Sequence, residues 1–286
     1  LAMFVSEKLV FLELHKTGCS HIGKWLRELI PGEQIGKHNP APPDLWDRFL
    51  LGSVRNPWDW YVSLWAYGCS GQGAVRARTT ATTDLAYVRN QLFAEMGLSR
   101  FRVDIAARQL AHNVGKPWRA WLATYDDPSS PEAFRSWLRM MMDPERRFDI
   151  GEGYGFSPVS RWAGLMTYRY LRLFSDYGSR LYSDKRLGHS ETARTDFPEH
   201  RLVHFVVRNE NLEDDLIEGL VRAGLPLTES DQQRLREART KKTNTSKRRA
   251  AAYYFDTDTA ELVARRERLI IERHGYRPPV PTTIPD

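Results

Sequence analysis

Cysteine is scarce: Cys19 and Cys69 are the only two among 286 residues. Two are too few for a disulfide framework, and neither stands at a metal-ligand spacing, so no metal site is expected. Long apolar runs are missing too. None approaches the roughly 18 residues that a membrane-spanning helix needs. The start of the chain lacks the layout of a secretory signal and enters an apolar strand almost at once, which makes a reducing cytoplasm the expected location. No internal repeat or long low-complexity tract occurs. The net charge of +6 is modest, which suits an anionic ligand better than a nucleic-acid coat, so neither nucleic acid nor membrane is an expected partner. Hydrophobic residues make up 41% of the chain, enough to bury the core of one large α/β domain.

Leu9 to Leu14 reads as a buried strand and His21 to Ile30 as a helix stopped by Pro31-Gly32. A second apolar strand, Phe49 to Val54, ends at Arg55. Asn56 then suits an N-cap, Pro57 the first helical position and Asp59 the helix dipole, predicting a helix to about Tyr67. Residues 70 to 200 change character and read as a helical insertion, with segments near Asp84 to Met96 and Ser130 to Met142. A third strand, Leu202 to Val207, leads into a helix over Leu212 to Ala223, and further helices are expected near Ser230 to Arg239 and Asp258 to His274. Strands each followed by a helix imply a parallel sheet covered on both faces.

The first strand runs into His15-Lys16-Thr17-Gly18-Cys19-Ser20-His21. Backbone N–H groups at such a turn, about half a positive charge at the helix N-terminus and the Lys16 ammonium would together hold a phosphate. Its order differs from G-x-x-x-x-G-K-[ST], because Lys16-Thr17 precedes Gly18, and the later strands end in Arg55 and Arg208 rather than in an acidic metal ligand. Ser63 lies about two helical turns beyond Arg55, so that fork and hydroxyl would flank a second anion. An ordinary strand-turn-helix with a surface Lys, and a surface Arg beside a helical Ser, are the plain alternatives.

Leu14-His-Lys-Thr-Gly-Cys-Ser20 and Val54-Arg-Asn-Pro-Trp-Asp-Trp-Tyr-Val-Ser63 together resemble the paired nucleotide signatures of sulfotransferases that use 3′-phosphoadenosine 5′-phosphosulfate (PAPS). The resemblance is strongest to the carbohydrate group that includes heparan sulfate O-sulfotransferases and bacterial relatives. Val207 to Glu213 and Thr243 to Arg248 are similar as well, whereas residues 70 to 155 are not covered. Cys19 stands where these proteins commonly carry a second Gly. The resemblance implies that Lys16, Thr17, Gly18, Cys19, Ser20 and His21 grip the 5′-phosphosulfate and that Arg55 and Ser63 bind the 3′-phosphate. It further implies that Ser246, Lys247 and Arg248 fold over the nucleotide from the basic run 241 to 249, a run that otherwise reads as a solvated segment.

Sulfuryl transfer needs an in-line acceptor hydroxyl, a proton acceptor and positive charge on the bridging oxygen as its bond breaks. Lys16 fits the last role and His38 the base, with His15 and His21 as further candidates and Glu13 a weaker one. PAPS is then the co-substrate, 3′,5′-adenosine bisphosphate the product, no metal is required, and the acceptor is a hydroxyl on a glycan or small molecule. The implied fold is a three-layer α/β/α domain over 1–286, like the P-loop nucleoside kinases, with a mostly parallel sheet. Residues 1–69 form the nucleotide-binding units, 70–200 the acceptor-binding insertion, and 201–277 the third strand, covering loop and terminal helix. Two other readings stay open: a metal-dependent small-molecule kinase on the same fold, and a non-catalytic anion- or glycan-binding module. Trp118, Trp121 and Trp137 are core or line a sugar cleft, and Arg135, Arg139, Arg146 and Arg147 form a solvated face or receive an acidic glycan.

Overall fold

The computed structural model describes residues 3–36, 40–82, 85–98, 102–238 and 248–279. It is an α/β protein folded as two compact units. The first contains Leu1–Asn56, Arg169–Asp176 and Glu199–Thr245, and the second Pro57–Tyr168, Tyr177–Pro198 and Ser246–Asp286.

The first unit is built on a five-stranded sheet. Strands β1 (Met3–Val5), β2 (Leu9–Leu12), β3 (Glu33–Ile35), β4 (Phe49–Val54) and β5 (Phe205–Arg208) lie in the order β3-β1-β2-β4-β5. The sheet is mixed rather than mostly parallel: β2–β4 and β4–β5 are parallel, whereas β1 is antiparallel to both β2 and β3. The tight turn at Ser6 folds β1 back on β2, its hydroxyl donating to the Leu9 carbonyl and accepting the Leu9 N–H. β1 and β3 are three residues each, too short to display a period in sequence.

Register assigns the two faces. Phe11 pairs with Leu51, and Leu51 with Phe205, so these point to one side, where Ile22 and Leu26 of helix α1 (Cys19–Leu29) and Leu216 of the helix Leu212–Arg222 join them in a core. Each such fully buried side chain contributes about 1.5–3 kcal/mol of transfer free energy. On the opposite face Gly52 leaves room for the ring of Phe174, which a Cβ there would meet at 2.7 Å.

The second unit is helical and begins at Pro57. Helix α2 (Pro57–Cys69) belongs to it because Trp58, Trp60 and Trp65 are buried, Trp58 donating to the Ala260 carbonyl and Trp65 to that of Thr124. The Ser130 hydroxyl accepts the Ala133 N–H and so starts the expected helix Pro131–Met142. Trp121 and Trp137 are core residues, both fully buried. Among the described residues no helix is long and apolar enough to cross a membrane.

Candidate functional site at the strand ends

Because β2, β4 and β5 are parallel, their C-terminal ends open on one edge of the sheet, the edge at which open α/β sheets bind ligands. Three strand-to-helix corners meet there, and each is built differently.

At the first corner the backbone is left-handed twice, at Lys16 (φ 63°) and at Gly18 (φ 84°, ψ 10°). Gly18 is the N-cap of α1 and has no side chain to cap it. It is also pressed by the third corner, since a Cβ would lie 2.6 Å from Asn209 Nδ2 and 2.7 Å from a Leu212 methyl. Cys19 is already the first helical residue and its φ is not positive, so its backbone carries no left-handed strain. The loop's conformational demands fall on positions 16 and 18. Thr17 is fully buried, and its hydroxyl donates to the Leu14 carbonyl at 2.7 Å while lying 2.6 Å from Ser53 Oγ. A hydroxyl has one proton, so Ser53 donates in turn. Thr17 thereby fastens the loop to β4 and does not face an incoming anion with its side chain.

Lys16 is half-buried and Ser20 exposed in the first turn of α1. His21 lies 3.8 Å from Glu213 and edge-on to Trp25. Burial pushes its pKa below the ordinary histidine value against the opposing pull of Glu213, so the ring is neutral at pH 7. Glu13 is buried and accepts a hydrogen bond from Gln34 Nε2 at 3.1 Å.

The second corner brings Arg55 to the first: its Nη1 donates to the Lys16 carbonyl at 3.3 Å. The Asn56 N–H donates to Glu210 Oε1 at 2.6 Å, tying this corner to the third. There Asp215, almost fully buried, accepts the Arg208 N–H, Nε and Nη2 at 2.8–2.9 Å and Asn211 Nδ2 at 2.7 Å. Burial pushes the Asp215 carboxyl up, but the hydrogen bonds from Arg208 and Asn211 hold it below its usual range. Arg208 is thus neutralised within its own corner, whereas Arg55, in the same Val-Arg-Asn context, reaches the Lys16 carbonyl.

The structure therefore brings together Lys16, Thr17, Gly18, Cys19, Ser20, His21 and Arg55 in one unit. Ser63 is buried in the second turn of α2, in the other unit. Arg248 is ion-paired with Asp59 at 2.7 Å, both within that second unit. His38, Ser246 and Lys247 lie outside the described residues. Sequence reasoning missed Ser53 and Asp215, and gave Asn209 and Glu210 only as part of the similar stretch Val207 to Glu213. The repeated Val-Arg-Asn at 54–56 and 207–209 was the available signal that two corners are related.

The chain is an α/β protein in which an arginine contacts a strand-to-helix corner that contains two left-handed residues. No family model matches the chain, and no curated protein or solved structure matches it.

Proposed function

We propose that the chain is a PAPS-dependent sulfotransferase acting on an acceptor hydroxyl of a carbohydrate, on a three-layer P-loop-like core. The observation that carries this reading is the hydrogen bond from Arg55 to the Lys16 carbonyl, which ties two strand-to-helix corners together next to a helix N-terminus that has no side-chain cap. Such a corner complements a dense cluster of phosphate oxygens. Its backbone also fits: left-handed Lys16 and Gly18 alternate with the residues between, the pattern that turns successive N–H groups inward as an anion nest.

In the proposed reaction Lys16 stabilises charge developing on the bridging oxygen as the sulfuryl group leaves the 5′-phosphate. His38 takes the acceptor proton, with His15 and His21 as alternates; the lowered pKa of His21 leaves it neutral and able to accept one. Resemblance assigns Arg55, Ser63, Ser246, Lys247 and Arg248 to the 3′-phosphate side. The test is PAPS supplied with a panel of hydroxylated glycans and small molecules, with and without chelator. Sulfated product insensitive to chelator is expected. No product from any acceptor, or product formed only from ATP and abolished by chelator, rejects the reading.

A further inference from the structure

The second unit holds a cluster of basic side chains around the Phe148 ring. Arg147 lies 4.7 Å over the centroid of the Phe148 ring and Arg108 lies 5.7 Å from that same centroid. His112 stacks on the ring at 4.2 Å. Arg108 also covers Phe156, itself edge-on to Phe148 at 5.1 Å. Three basic side chains thus surround one buried phenyl ring. Arg161 is near enough to repel Arg147, and its carbonyl is fixed by the buried Arg266 guanidinium at 2.9 Å. Neighbouring cations are treated otherwise. Arg146 is paired with Asp143 and Asp149, and Asp149 also accepts from Trp121 Nε1. Among the described residues, no carboxylate pairs with Arg108, Arg147 or Arg161.

A fold that gained only stability from these positions would neutralise or disperse them, because like charges on a low-dielectric aromatic bed repel. Burial first, and then the nearby Arg161 and Arg108, push the Arg147 guanidinium below its ordinary value. Two features instead hold Arg147 in place without neutralising it: the Phe148 face, and the Pro144 carbonyl, which accepts from Nη1 at 2.5 Å. Arg108 and Arg161 are exposed and Arg147 is half-buried, so an external ligand can reach them.

We propose that Arg108, Arg147 and Arg161, with His112 beside them, form an anion-binding site that takes a ligand carrying two or more oxyanion groups on one scaffold. Guanidinium forks match sulfate, phosphate or carboxylate oxygens two at a time, and a single ligand spanning several forks removes the repulsion among them. This site lies wholly within the second unit, and the proposal holds whether or not the chain transfers sulfuryl groups.

The test is calorimetric titration of the full chain with a multiply sulfated disaccharide, inositol hexakisphosphate and inorganic sulfate, for the wild type and for Arg147→Gln, Arg108→Gln and Arg161→Gln. The two polyanions separate a sulfated from a phosphorylated source, and inorganic sulfate measures simple screening. At least one polyanion is expected to bind far more tightly than sulfate and to weaken about tenfold or more with each substitution, consistent with loss of a charge-assisted hydrogen bond. Thermal unfolding in low salt without ligand supplies the second readout: Arg147→Gln unfolds at the same temperature as the wild type or higher. Polyanion binding no tighter than that of sulfate, binding unchanged in all three variants, or a markedly lower unfolding temperature for Arg147→Gln each overturns the proposal. Arg108→Gln and Arg161→Gln, at exposed positions, carry the binding test independently of Arg147→Gln. Titration with 3′,5′-adenosine bisphosphate stays unaffected by these variants, which separates failure here from failure of the sulfotransfer reading.

Discussion

Lys16 holds a left-handed backbone that glycine adopts freely and lysine does not, a conformation worth of order 1 kcal/mol of strain. Its neighbours explain how the strain is sustained: Thr17 is locked between Leu14 and Ser53, and Gly18 is wedged beneath Asn209. Thr17→Val keeps the shape but leaves the Leu14 carbonyl and the Ser53 hydroxyl short of a partner in a buried place. The expected cost is about 1–3 kcal/mol in denaturant unfolding. Stability equal to the wild type would mean that Thr17 does not fasten the loop. Arg55 and Arg208 make the same point at this scale, since identical Val-Arg-Asn contexts give one arginine reaching the Lys16 carbonyl and another consumed by Asp215.

Among the elements, those with strong local signals were readable in the sequence. Strand β4 matches its expected span, and α2 and the helix after Ser130 start where expected, because an apolar run, Pro at a first turn and a Ser cap are local devices. β1 and β3 were not readable at three residues each, and without them the sheet looked mostly parallel. The first two corners of the site were legible as motifs. The bracing by Asn209, Glu210 and Asp215 was not, since it depends on β5 pairing with β4 across more than a hundred intervening residues.

The terminal helix, read as one piece over 258–274, is two: Thr257–Arg266 and Arg268–His274. Glu267 at their junction is fully buried and accepts the Thr167 N–H at 2.8 Å, the Thr167 hydroxyl at 2.6 Å, the Met166 N–H at 3.3 Å and the Tyr61 hydroxyl. It supplies acceptors to the start of another helix, Leu165–Phe174, at the expense of continuity in its own. Burial pushes its carboxyl above the usual range, with Thr167 and Tyr61 opposing. Glu267→Gln turns an amide N–H₂ toward donors, and a loss of about 2–3 kcal/mol in unfolding free energy is expected. An unchanged midpoint would contradict this role.

For the molecule as a whole, burial lowers the pKa of His21, His112 and His204 alike. Above the unfolded value near 6.5 each is neutral in both states and has no effect. As pH falls below it, the unfolded chain takes up protons that the folded chain resists, so stability declines until the lowered folded values are passed. Raised Asp149 and Glu267 act with the opposite sign, so the histidine contribution is isolated by difference. Between about pH 7.5 and about pH 5.5 the wild type should lose more stability than His112→Asn in denaturant titrations. Parallel slopes would contradict the assignment.

The central claim is that Lys16 and Arg55 serve one phosphate-rich nucleotide at a shared edge of the sheet, and calorimetric titration with 3′,5′-adenosine bisphosphate tests it most directly. The wild type is expected to bind, with Lys16→Met and Arg55→Met each weakening affinity about tenfold or more, as loss of a charge-assisted hydrogen bond requires. No binding by the folded wild type, or equal affinity in both variants, would contradict it.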